Sequence, residues 1–211
     1  MKRILTIIML LSLGCPIIAG ARVMEVTDRP SIRSIREAAR QVTAWNPQMI
    51  SIRDTSLDRT FEDVGSGVKM QYPSSWERQD LLQRTFPLTL VTIFLSPDER
   101  PAGIRQNVNL VTEDLPMDMT LSEYTEQGIR AEREYFRQYT LLESEDILLA
   151  GAYRAHRVLF AATSDIGDMA FEQIWMLRGK QAFVWTFADS AEAFDDHRET
   201  FERMMDTLTV Q

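Results

Sequence analysis

The stretch MAFEQIWMLRGKQAFVWTFA, residues 169–188, decides the fold of this chain of 211 residues. It contains two apolar runs, at 169–178 and 181–188, and Gly179 lies in the turn between them. Apolar runs of this length, bounded by turn residues, are typical of β-strands, and so short a connection makes the two strands antiparallel neighbours. The sequence therefore predicts a hairpin within an antiparallel sheet.

Four aromatic side chains of this hairpin form a candidate apolar wall. Trp175 is in register with Phe171 and Leu177 on the first strand, and the other three share one face of the second strand. The four residues are Trp175, Phe183, Trp185 and Phe187. Two interpretations stay open: the wall is core packing beneath helices, which we favour, or it lines a groove that binds an apolar peptide or lipid when a covering helix shifts.

Further strand patterns precede this hairpin. The predicted strands occupy residues 61–64, 68–72, 88–95, 104–111, 141–149 and 153–162. Residues 88–95 are a continuous apolar run, which indicates a strand buried on both faces. Residues 104–111 alternate, with Asn107 and Asn109 on the side opposite Val108. We therefore expect only one face of that strand to be buried.

Two helical patterns interrupt and close this run of strands. TLSE at 120–123 is a capping-box pattern, which predicts the start of a helix. One face of this helix continues to Tyr139 and includes Gly128, and a glycine on that face indicates close approach to a sheet. A second helix is predicted from Ser190 onward. The order of the elements predicts an α+β fold, a mainly antiparallel sheet covered by helices.

The first 21 residues predict a signal peptide. Lys2 and Arg3 precede an apolar run at 4–13, and the small residues Ala19 and Ala21 fit a signal-peptidase site. The run is shorter than the roughly 20 residues that a membrane span needs. We therefore expect a periplasmic or secreted protein. The alternative is a lipoprotein anchored through Cys15, because Gly14 precedes that cysteine.

Residues 22–58 form a polar lead-in before the predicted domain at 59–211. Apolar residues at helical spacing predict a short amphipathic helix here, with a neighbouring stripe of arginines. The stripe consists of Arg29, Arg33, Arg36 and Arg40. It is either the solvated face of a helix packed on its own domain or a contact surface for an acidic partner or membrane.

The net charge restricts the partners. The chain carries a formal charge of −8, and removal of a leader with Lys2 and Arg3 and no acidic residue changes −8 to −10. An acidic surface repels phosphate backbones and anionic lipids, which argues against nucleic acid. We expect an unknown envelope protein as the partner, and membrane association only if Cys15 carries a lipid.

The sequence predicts no catalytic residue, no cofactor and no metal site. Cys15 is the only cysteine and lies in the leader, and no Gly-x-Ser-x-Gly elbow occurs. His156 shares a strand face with Val158 and is expected to be structural. His197 follows two aspartates near the start of the last helix, where successive side chains diverge too far to chelate one ion.

Several segments resemble, in order, the PsbP/DcrB superfamily. They are GVKMQYPSSW at 67–76, NVNLV at 107–111, LSEY at 121–124, GAYRA at 151–155 and the hairpin at 173–187 that leads to Phe201 and Met205. The match covers roughly residues 61–210. The resemblance implies an α-β-α sandwich and mostly non-catalytic roles, as in photosystem II extrinsic subunits, bacterial envelope proteins and lipoproteins, and chaperones of secreted effectors.

These observations predict an exported, non-catalytic protein-binding accessory module of the cell envelope. The first alternative is a carrier or chaperone for an apolar peptide or lipid that binds at the aromatic wall. A less favoured alternative is a carboxylate-based hydrolase, which requires two carboxyl groups facing one pocket.

Overall fold

The computed structural model describes residues 56–80, 83–99, 105–164 and 167–211. The predicted signal peptide with Cys15 lies outside the described residues. The same holds for the lead-in up to residue 55, including its arginine stripe of Arg29, Arg33, Arg36 and Arg40. The structure therefore bears on the predicted domain and not on the leader.

Strands dominate the described residues. The strands are β1 Arg59–Asp63, β2 Val68–Tyr72, β3 Glu77–Gln79, β4 Gln83–Thr85, β5 Leu88–Glu99, β6 Arg105–Asp114, β7 Arg137–Leu149, β8 Tyr153–Ser164, β9 Gly167–Arg178, β10 Gln181–Ser190 and β11 Thr209–Val210. The helices are α1 Leu121–Tyr135 and α2 Phe194–Asp206. Neither of these two helices is long and apolar enough to cross a bilayer.

The strands form two antiparallel sheets. The large sheet has the order β3-β5-β6-β10-β9-β8-β7, and β4 pairs with β5 beside that path. The small sheet has the order β1-β2-β11, so the last strand returns to the first hairpin. Because most pairs join strands that are neighbours in the sequence, short connections link most of the described strands.

Helix α1 packs against one face of the large sheet, over β7, β8 and β9. Its capping box is present: Glu123 N–H donates to Thr120 Oγ1 at 3.2 Å, and Thr120 N–H donates to Glu123 Oε2 at 2.8 Å. Gly128 faces Trp175 on β9, and a Cβ at Gly128 would lie 2.5 Å from that ring. The predicted close approach of this glycine to the sheet is confirmed.

Helix α2 and the small sheet lie against the opposite face of the large sheet. Phe201 of α2 stacks on Phe187 of β10 with ring centroids 5.5 Å apart. Phe61 of β1 packs edge-on against Phe94 of β5 at 5.6 Å. The α+β class and the mainly antiparallel sheet are confirmed. A cover of helices on both faces is confirmed only in part, because the small sheet shares the α2 face.

The structure corrects three expectations about individual elements. Strand β6 is buried on both faces, including Asn107 and Asn109, so its polar alternation does not mark a solvated side. Helix α1 ends at Tyr135, with Phe136 as its C-cap in extended conformation, and Tyr139 therefore lies on β7. Helix α2 begins only at Phe194, since β10 continues through the predicted helix start.

Candidate functional site

The four aromatic residues of the predicted wall do not share one face. The loop between β9 and β10 has two residues, and Arg178 pairs with Gln181. Trp175 therefore lies opposite Val184, whereas Trp185 lies opposite Ile174. Since directly paired residues point to the same side of a sheet, Trp175 belongs to the α1 face and Phe183, Trp185 and Phe187 to the α2 face.

Both parts of the divided wall are hydrophobic core. Phe183, Trp185 and Phe187 are buried in the cluster that includes Phe201 of α2. Trp175 is buried in the cluster of the α1 face, where Tyr124 packs edge-on against its ring at 5.8 Å. A ligand would have to displace α1 to reach Trp175, and α2 or the small sheet to reach the other three side chains. The core interpretation therefore fits the packing better than a ligand groove.

The edge strand β7 is largely exposed to solvent. Among the described strands of the large sheet it ends the order next to β8 and has no neighbour on its other side. Its pairing with β8 is interrupted by register shifts between Arg137 and Thr140 and between Leu141 and Glu143. From Glu143 to Leu149 the pairing runs without interruption. The second half of β7 is thus a regular edge that pairs with β8 alone among the described strands.

Two large apolar side chains on β7 are exposed to solvent. Leu142, at the second register shift, is 54% exposed, and Leu148 is 60% exposed. A single exposed leucine is common on protein surfaces. Two exposed leucines on one open edge strand are less common. Proteins usually avoid apolar side chains there, because an open edge can pair with another chain.

A hydrogen-bonded series of polar side chains links β7 to β8 on the α1 face. Ser144 Oγ lies 2.9 Å from His156 Nε2, and His156 Nδ1 lies 2.6 Å from Asp146 Oδ1. Ser144 and Asp146 are two residues apart on β7, and His156 is the direct partner of Asp146 on β8. The predicted structural role of His156, on the face it shares with Val158, agrees with this arrangement.

The order of atoms in this series is that of a serine-histidine-aspartate triad, but its surroundings are unlike a hydrolase site. The Asp146 side chain is 86% exposed, so water screens its attraction for a protonated imidazole. Acyl transfer also needs donors placed for the oxyanion. On a solvated edge strand, the series acts as a cross-strand clamp that holds the β7–β8 hairpin together.

Charged side chains cover the other face of the same hairpin. Arg157 of β8 binds both Glu143 and Glu145 of β7. Glu172 of β9 is 1% exposed and accepts a 2.8 Å hydrogen bond from Arg198 Nε of α2. Burial raises the pKa of Glu172, and Arg198 and Arg157 offset part of that rise. This network connects the edge strand to α2.

His197 lies beside Asp189 of β10, and not beside a carboxylate of its own helix turn. His197 Nδ1 is 3.9 Å from Asp189 Oδ2 at the end of β10, and Gln106 Nε2 donates to the same oxygen at 3.2 Å. Asp195 and Asp196 lie in the first turn of α2, where they complement the helix dipole. Within the described ranges, no group of three or more His, Cys, Asp or Glu side chains could hold a metal ion.

Comparison of the sequence with protein-family models matches residues 54–207 to DcrB. The chain belongs to the DcrB family. This match spans every described strand except β11, and it includes the whole β7–β8 hairpin. The resemblance to the PsbP/DcrB superfamily is thereby confirmed. No curated protein matches this DcrB-family chain in sequence.

Solved structures are similar to this DcrB-family chain at low sequence identity. The cyanobacterial PsbP of Synechocystis sp. PCC 6803 is 14% identical with a TM-score of 0.54, and the match covers 72% of this chain and 92% of that one. PA94 of Pseudomonas aeruginosa is 15% identical over 72% and 96%, with a TM-score of 0.49. LpqN of Mycobacterium tuberculosis, involved in cell envelope biogenesis, is 11% identical over 72% and 90%, with 0.47.

Sequence reasoning missed the β7 edge as a candidate site. Ser144, Asp146 and Leu148 were parts of a predicted strand without an assigned position in the sheet. One signal was present, because Glu143, Glu145 and Asp146 place three acidic residues within four positions. Charged residues at such density are typical of an edge strand, where they discourage unwanted pairing.

Proposed function

We propose that this DcrB-family chain is an exported, non-catalytic accessory module of the cell envelope that binds another protein along the edge strand β7. The observation that carries the proposal is the regular edge from Glu143 to Leu149, which is unpaired among the described strands and carries the exposed Leu148. An open strand edge is a ready template for main-chain hydrogen bonds with a partner.

The alternatives have less support from the packing. A carrier for apolar ligands was expected to use Trp175, Phe183, Trp185 and Phe187, and these side chains are divided between two buried cores. The carboxylate-based hydrolase requires two carboxyl groups facing one pocket, and the triad-like series supplies only one carboxylate, the largely solvated Asp146. A protein-binding surface needs only exposed groups of the kind that β7 presents.

The proposal is tested by photo-crosslinking in intact cells. The full chain is produced in its own host with p-benzoylphenylalanine at position 148, and in a matched control at position 64. Val64 is 89% exposed in the β1–β2 turn, so both probes are accessible to solvent. We expect one distinct crosslinked envelope protein from position 148 and none of the same mass from position 64.

Two results would overturn the proposed function. One is recovery of only monomer from position 148 and from further probes along residues 142–148, although the chain is folded and exported. The other is catalytic turnover by the purified chain that is lost in a single-residue variant. Sequencing the mature N-terminus in the same preparation tests export, because a free Arg22 would identify cleavage after Ala21.

A further inference from the structure

We infer that the partner contributes an extended basic segment that adds to the large sheet along residues 143–149 of β7. This inference rests on the proposed function, since it names the binding mode and the chemistry of the segment that the edge accepts.

The backbone of β7 restricts strand addition to its second half. Register shifts disturb the first half, and bulges of this kind bend an edge and interrupt its row of donors and acceptors. From Glu143 to Leu149 the strand is regular and spans about 23 Å. An incoming strand of similar length could therefore form a ladder along this part alone.

Side chains on the two faces of this segment differ in chemistry. Glu143 and Glu145 lie on the α2 face, where their side chains are about half exposed although Arg157 contacts both and Arg198 also contacts Glu143. Asp146 and Leu148 lie on the α1 face and are both more than half exposed. An added strand would place its own alternate residues beside these two rows.

Charge complementarity favours a basic segment as the strand that pairs with β7. The segment carries three acidic residues within four positions, and a basic strand would place cations next to Glu143 and Glu145 on one face and next to Asp146 on the other. A second copy of the chain would bring six carboxylates together along one seam, which repels self-pairing. The exposed Leu148 side chain would then contact an apolar residue of the incoming segment.

The inference is tested with defined peptides and the full mature chain. The probes are a short fluorescent peptide of repeated Lys-Lys-Val-Val, which places lysine and valine on both faces of a strand, its counterpart with glutamate for lysine, and the lysine peptide N-methylated at alternate residues. Fluorescence anisotropy measures the dissociation constants at low salt and in about 0.5 M salt. At the higher concentration the Debye length is only about 4 Å, so attraction between the exposed charges is weakened. We expect the lysine peptide to bind, the other two not to bind, and salt to weaken the binding.

Two pairs of variants locate the binding. Leu148→Lys and Val64→Lys add the same charge at exposed positions. A difference between their dissociation constants therefore reports a contact of the peptide at the edge. Asp146→Asn and Glu192→Gln each remove one exposed negative charge, at the edge and in the turn before α2. We expect Leu148→Lys to raise the dissociation constant about tenfold and Asp146→Asn about threefold, with the two controls unchanged within about twofold.

The outcomes separate this inference from the proposed function. Absence of binding by the lysine peptide, or equal effects of Leu148→Lys and Val64→Lys, would overturn the basic-strand inference. A cellular partner crosslinked at position 148 would still uphold the proposed function. Sedimentation of the free chain as a dimer that Leu148→Lys dissociates would identify a second copy as the occupant and also overturn the inference. Loss of both the peptide binding and the cellular crosslink would overturn both.

Discussion

Gly128 of α1 lies directly over the indole ring of Trp175 on β9, at a distance that leaves no room for a methyl group. A Cβ at Gly128 would lie 2.5 Å from one ring carbon and 2.7 Å from another. The helix approaches the sheet this closely because one of its residues has no side chain. The aromatic ring then fills the space beneath the helix.

Gly128→Ala is expected to destabilise the protein by about 1–2 kcal/mol, measured by urea unfolding. Alanine gains about 1 kcal/mol in helix propensity, but the clash with Trp175 costs more, as overpacking in a core typically does. Gln127→Ala on the exposed side of the same helix is the control and should change stability by less than about 0.5 kcal/mol. The double variant with Gly128→Ala and Trp175→Phe should lose less stability than the sum of the losses in the two single variants, because the smaller ring makes room for the methyl group. Strictly additive losses would contradict the proposed contact.

Glu132→Gln is expected to change how stability depends on pH. Glu132 is buried on α1, and burial raises its pKa from 4.5 to about 8 although Tyr139 donates a 3.0 Å hydrogen bond to it. The folded state therefore retains a proton that the unfolded state releases, and stability falls as the pH rises from about 5 to about 8. Glutamine mimics the protonated form and should remove this fall, whose upper limit is about 5 kcal/mol.

The measurement for Glu132→Gln is a series of urea unfolding curves between pH 5 and 9. The wild type should approach the variant in stability at the acidic end and become less stable than the variant at the alkaline end. Parallel pH profiles of the two proteins would show that Glu132 stays ionised in the folded state. Arg133, whose guanidinium lies 6.0 Å from the Tyr139 ring centroid, is left unchanged in both.

Arg198→Met is expected to cost about 3 kcal/mol in the free energy of unfolding. It removes the 2.8 Å hydrogen bond to Glu172, whose carboxylate is 1% exposed, and leaves that charge with the more distant Arg157 at 3.8 Å. Arg130→Met, on the exposed side of α1, is the control for loss of one positive charge. The double variant Arg198→Met with Glu172→Gln should be more stable than Arg198→Met alone, and a lower stability would contradict this pairing.

Ser144 is expected to be unreactive toward fluorophosphonates. Its neighbours His156 and Asp146 have the atom order of a triad, but the solvated carboxylate and the open strand do not provide the shielded surroundings of acyl transfer. Intact-mass spectrometry after exposure to the reagent should show no adduct. An adduct that Ser144→Ala abolishes and Ser122→Ala preserves would contradict the non-catalytic interpretation.

Local sequence patterns were sufficient for most of the secondary structure. The apolar runs of β5, β9 and β10 and the glycine turn at Gly179 predict strands because burial and turn geometry act over a few residues. The capping box at Thr120 and the close contact of Gly128 followed from the same short-range logic. Among the strands in the described part of the chain, only the short β3, β4 and β11 were missed, since two or three residues carry no readable period.

Contacts between residues on different strands could not be predicted from local sequence patterns. The division of Trp175 from Trp185 depends on the two-residue length of the β9–β10 loop, because that length decides which residues share a face. The series Ser144, His156 and Asp146 depends on the register of β7 with β8. Burial of Asn109 depends on what covers β6. Each of these features depends on contacts between residues that are far apart in the sequence.

The large sheet separates the hydrophobic core on the α1 side from the core on the α2 side. A substitution in one core should therefore leave the packing of the other unchanged. Trp175 and Trp185 belong to adjacent strands, yet backbone lies between their rings. Truncations on opposite sides should therefore have additive energetic effects, whereas truncations on one side should not. The protein could thus accept compensating substitutions on the α1 side while the α2 side stays as it is, as two independently evolving halves of one domain.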